Sequence, residues 1–187
     1  MSPSIRKVVL TTHVATSVGW LGAVLAYLGL DITATSSQVS NTVRGAYSAM
    51  EVTVVYVIVP LALASVIIGI VNALGTPWGL FRHYWVLVKL LLTVLATTVL
   101  LVETSTVSHL AQAATSDADP RGLPGTMPHS VGGLVVLLII MVLSVFKPRG
   151  VTRYGWRKQD EQRRSKRDLR RPPGRRTGSV GFAESID

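Results

Sequence analysis

Four apolar runs, each long enough to cross a bilayer, constrain this chain more than anything else in it. They lie at about 8–30, 49–74, 83–103 and 130–146. A helix rises about 1.5 Å per residue, so roughly 20 residues cross a hydrocarbon core about 30 Å thick. The run at 83–103 is the clearest: Arg82, His83, Tyr84 and Trp85 open it, Glu103 closes it, and one charge, Lys89, sits inside. The sequence therefore predicts an all-α, four-helix transmembrane bundle over residues 1–147, followed by a polybasic tail over 148–187.

Charge is segregated in the same way. Charged residues make up 16% of the chain, against about 25% in ordinary soluble proteins. Residues 1–146 carry a net charge of +1 and residues 147–187 a net charge of +8. The segments on one side of the four runs hold seventeen Lys and Arg; the other side holds only Arg44 and Arg121. The positive-inside rule then places both termini in the cytoplasm. Arg6 and Lys7 precede an apolar run that reaches Leu30, longer than a signal-peptide core, so the reading is a retained first span. The chain has no cysteine, which excludes disulfides, thiolate metal sites and cysteine nucleophiles.

Along the chain, the first run carries small residues at i+4 spacing: Ala15, Gly19 and Ala23, then Gly22 and Ala26. Such spacing lets a second helix approach closely, within one molecule, in a homo-oligomer or against another membrane protein. Asp31–Ser48 reads as a Ser- and Thr-rich connection, with Ser48 and Glu51 as a capping box that starts the second span. Pro60 removes a backbone hydrogen bond in mid-span and predicts a kink. The helix of the third span is expected to continue to about Ala114, and 117–128 reads as a Pro- and Gly-rich loop. The fourth span is the most aliphatic and is expected to face lipid over much of its surface.

The tail is almost wholly polar over Arg157–Arg171, and disorder is expected there. Arg163, Arg164, Lys166, Arg167, Arg170 and Arg171 form the cluster expected to hold anionic lipid headgroups, at about 1 kcal/mol per residue near the surface. No aromatic-interleaved module accompanies them, so nucleic acid is not an expected partner.

Few residues offer chemistry. His13 lies about five residues into the first span and Lys89 about six into the third, and the two spans run in the same direction. They are therefore expected at similar depth. The plain readings are that Lys89 snorkels to the headgroups and that His13 bonds a hydroxyl such as Thr97 or Tyr56. The functional reading is a shared polar pocket for a cofactor such as haem b, or for an anionic substrate. His83, His109 and His129 stand at or beyond the span ends, a poor set for two haems. Hydrolase and phosphate-loop motifs are absent, and no buried acid is expected that would couple ion transport.

Two motifs carry a resemblance. They are His13-x6-Trp20-x-Gly22 and Trp85-x3-Lys89-Leu90-Leu91. Together they resemble the copper-resistance D-type proteins and the four-helix membrane protoporphyrinogen oxidases. In the oxidases a first-span histidine and a third-span lysine serve haem binding and activity; the resemblance gives those places to His13 and Lys89. The oxidases' further His and Arg near the end of span one are missing from LAYLGLDITA. The strings GTPWGLFRHYWVLVKLLLT and KPRGVTRYGWRKQ look like four-span membrane proteins of high-GC Gram-positive bacteria that have no established activity. This likeness spans most of 8–158 and implies a bacterial cell membrane. The function expected is a structural or accessory membrane component, the alternative a haem- or metal-binding redox protein.

Overall fold

The computed structural model describes residues 2–75, 84–116 and 119–146, with 152, 156, 157, 160, 161, 163 and 164. Among these residues the structure is helical, without strands. Four helices are long and apolar enough to cross a membrane: α1 (Pro3–Ser36), α2 (Ser40–Gly75), α3 (Tyr84–Thr115) and α4 (Met127–Phe146).

Helix α1 starts where its chemistry predicts. Ser2 Oγ accepts from the Ile5 amide at 3.4 Å and Pro3 takes the first helical position, where its missing N–H costs nothing. Its end is a correction. Asp31–Ser48 is not a loop: α1 runs through Ser36, only Ser37–Val39 connect, and α2 is under way by Ser40. The polar residues do not break the helix because their hydroxyls turn back onto it. Thr33 donates to Gly29 O, Thr35 to Asp31 O and Ser36 to Ile32 O. The Ser48–Glu51 capping box likewise falls inside α2 and caps nothing.

The expected irregularity near Pro60 takes the form of a π-helical turn over Val54–Ile58, with the Val59 amide bonded to Val54 O. Proline cannot donate to the carbonyl four residues back, and a π turn is a common accommodation in helices. Helix α3 reaches Thr115, as its sequence implies. Helix α4 begins three residues earlier than the hydropathy suggests. It exposes Val131, Val135, Ile139, Met141, Val142 and Phe146, and buries Ser130, Leu137 and Ile140.

Each helix packs on its neighbour in sequence, and α4 closes back onto α1. The diagonal partners α1 and α3 barely touch. Space is therefore left along the bundle axis, and side chains from α1 and α3 face it across the middle. The buried face of α1 is Trp20, Val24, Tyr27, Asp31 and Ala34, spaced 4, 3, 4 and 3. Val43, Tyr47, Met50, Val54 and Ile58 on α2 meet it.

The small-residue stripe lies elsewhere. Ala15, Gly22 and Ala26 are exposed; Gly19 is set against α2, where a Cβ would meet Leu61 at 3.5 Å, and Ala23 packs half-buried against the core. The stripe is thus mostly on the outside of the bundle. In the tail, Trp156, Arg157, Asp160, Glu161, Arg163 and Arg164 are helical and exposed, where the sequence predicts disorder. Asp160 and Arg164 stand at i,i+4, a pairing that supports a solvated helix. Lys166, Arg167, Arg170 and Arg171 lie outside the described residues, as do Trp78, Arg82 and His83.

Candidate functional site

Two half-open cavities lie between the helices, one toward each end of the bundle. The larger, of about 660 Å³, is lined by residues of all four helices, with Arg6, His13, Asn72, Trp85, Lys89 and Thr93 supplying its polar or aromatic surface. His13 and Lys89 do share a cavity, as their matched depth predicts, and lie close enough for their charges to interact. Across the α1–α2 seam beside them, Ser17 Oγ and Ser65 Oγ are 2.8 Å apart.

His13 takes neither of its expected hydroxyl partners. Thr97 donates to Thr93 O instead, and Tyr56 is 74% exposed. The imidazole lies beside Ser65 and edge-on to Gly69, where a Cβ would be 2.9 Å from His13 Cε1. Only glycine leaves room for the ring. Its Nδ1 is buried and, among the described residues, has no hydrogen-bond partner. Lys89 is half-buried, and among the described residues its ammonium makes no hydrogen bond or ion pair.

The second cavity, of about 290 Å³, is bounded by Trp20, Tyr27, Glu103, Thr126, His129 and Ser130, with aliphatic walls between them. Glu103 on α3 faces His129 on α4, with Oε1 and Nε2 3.3 Å apart. Behind this wall is a buried acid that the sequence reading placed in a loop. Asp31 is 0% exposed. Its Oδ1 accepts from the Thr126 amide at 3.1 Å; its Oδ2 accepts from Thr126 Oγ1 at 3.0 Å and Ser130 Oγ at 2.9 Å. Tyr27 Oη is 2.7 Å from Thr126 Oγ1 and completes the chain of hydroxyls. Asp31 thus caps the start of α4 from another helix, at the end where the peptide dipoles favour negative charge. The expectation that the bundle buries no acid is overturned.

The loop between α3 and α4 is tied down around this acid. Tyr47 Oη donates to Leu123 O and Pro124 O at 3.2 Å each, and Arg44 reaches Ala114 O and Ser116 O. A Cβ at Gly125 would collide with Thr35 Cγ2 and come within 3.2 Å of Asp31 Oδ1. Gly125→Ala is therefore expected to destabilise the protein by about 1–3 kcal/mol, read as a lower melting midpoint in detergent. An unchanged midpoint would mean that the loop simply shifts. On the exposed turn, Arg121 grips Asp119 at 2.7–2.9 Å and holds its carboxyl down at about 2, so this pair stays ionised across any ordinary pH.

No known protein family, curated protein or solved structure matches the chain. Assignment therefore rests on the residues themselves. Among the described residues no three His, Asp or Glu side chains gather as a metal site. His109 is exposed on α3, His129 is paired with Glu103, and His83 lies outside the described residues.

Proposed function

We propose that this protein is an accessory component of a bacterial cell membrane that holds an amphipathic anion in the Lys89 cavity. One observation carries the reading: a half-buried ammonium without a counter-ion among the described residues, facing an apolar chamber. Withdrawing a charge from water costs several kcal/mol unless something compensates it. An acidic head bound at Lys89 and Arg6 would compensate it, and the apolar body would lie against Val14, Leu21, Ile140 and Met141. Both termini are read as cytoplasmic, with the tail residues Arg163 to Arg171 on anionic headgroups. The small-residue stripe left outside α1 is where a second copy or another membrane helix would pack.

Dibrominated stearate, a quencher of indole fluorescence, tests the cavity, because Trp20 and Trp85 both line it. The carboxylate should quench and its methyl ester should not. Lys89→Met keeps the apolar stem and should weaken binding about tenfold, equivalent to about 1.4 kcal/mol. Equal quenching by the ester, or an unaffected Lys89→Met, would show that Lys89 merely snorkels.

A second reading is favoured by the unpartnered Nδ1 of His13. Haem b is itself an amphipathic dianion, and Lys89 and Arg6 fit its carboxylates. Its iron needs an imidazole nitrogen, and His13 presents its Cε1 edge, flanked by both nitrogens, to Gly69, so the ring must turn. Bound haem would supply one-electron chemistry at this site. A Soret band with added haemin that disappears in His13→Ala supports this form, and a wild type without a band removes it.

A further inference from the structure

The Glu103 cavity has the opposite electrostatic character, and the geometry points to it as a binding site for a small organic cation, an aromatic or alkyl ammonium. Four features converge on this. The chamber is half open and holds about 290 Å³, room for a ligand with one ring. Its walls include two buried aromatic residues, Trp20 and Tyr27, of the type that attracts quaternary ammonium groups. Glu103, whose side chain is 22% exposed, supplies a carboxylate at the edge of the chamber.

The fourth feature is Asp31, one residue layer behind. It acts only as an acceptor in all three of its hydrogen bonds, and every donor is a neutral amide or hydroxyl. Both donor residues, Thr126 and Ser130, also line the chamber. The α4 N-terminus offsets about half a charge. Two acidic side chains therefore stand in or behind the wall, and among the described residues His129 is the one basic side chain that lines the chamber. This acidic excess between aliphatic walls favours a cation whose apolar substituents tolerate them, and disfavours a hydrated metal ion, which would have to shed its water against aliphatic side chains.

The inference is independent of the Lys89 cavity, since the polar groups of the two chambers are different. The two chambers share only Trp20 and Leu137. A cation that binds here would approach between α3 and α4, past the Glu103–His129 pair. His129, when protonated, would compete with it for Glu103. Tyr27 faces the same space from α1, and from α2 only Val54 and Ile58 do.

The experiment uses the full chain in neutral detergent at pH 8. The probe is phenyltrimethylammonium, and the control is tert-butylbenzene, which has the same shape without the charge. Binding is read by saturation-transfer NMR and by the rise in melting midpoint. The expected result is saturable binding of the cation, little or none of the hydrocarbon, and at least a tenfold loss of cation affinity in Glu103→Gln. Glu103→Gln preserves shape, and a helical circular-dichroism spectrum with a cooperative melt like the wild type's shows that it has folded. Equal binding of the hydrocarbon would make the chamber a plain apolar cavity and overturn the inference. So would cation binding that survives Glu103→Gln, or no cation binding in a folded wild type.

Discussion

Replacing Asp31 by Ala is expected to produce a large loss of stability. The change leaves the Thr126 amide and the Thr126 and Ser130 hydroxyls without their acceptor. Each orphaned buried donor costs about 1–3 kcal/mol, and hydroxyl rotation relieves part of this, so about 3–5 kcal/mol is expected in total. For a chain of this size that lowers the melting midpoint by on the order of 10 °C in detergent. Asp31→Asn keeps one carbonyl acceptor and the shape of the side chain, so a loss of about 1–2 kcal/mol is expected from it. A shift of under 2 °C for Asp31→Ala would mean that the start of α4 is held by packing alone.

The second large effect is expected at Gly69. A Cβ there would lie 2.9 Å from His13 Cε1, and the branches of valine would reach further into the ring. Gly69→Val should force the imidazole out of its slot, at about 1–3 kcal/mol for overpacking. It should also weaken stearate binding, because the displaced ring enters the Lys89 cavity. The informative comparison is the double variant. His13→Ala opens the space that valine needs, so Gly69→Val combined with His13→Ala should be more stable than Gly69→Val alone. Strict additivity of the two changes would show that ring and glycine are not coupled.

The four helices were legible because length and hydropathy dictate them with little help from tertiary structure. So was the pairing of His13 with Lys89, because equal depth on two spans of one direction is simple arithmetic. The boundary at Leu30 was misread for a definable reason. Hydropathy falls at Asp31, and Ser and Thr follow, which looks like a connection. The helical spacing of Trp20, Val24, Tyr27, Asp31 and Ala34 passes straight through that boundary, and continues on the next helix as Val43, Tyr47, Met50 and Val54. Periodicity thus carried the information where mean hydropathy did not. The orientation of the small-residue stripe was not readable, because small residues pack equally well inside a bundle or outside it. Nor was the partner of Asp31, which lies 95 residues away at Thr126 and is brought near only by the closure of α4 onto α1.

The closure that leaves α1 and α3 apart has one more consequence. Both chambers touch Trp20 and Leu137, so these two side chains border a space that holds Lys89 and another that holds Glu103. A change of size or rotamer at either one would therefore reshape the walls of both spaces at once.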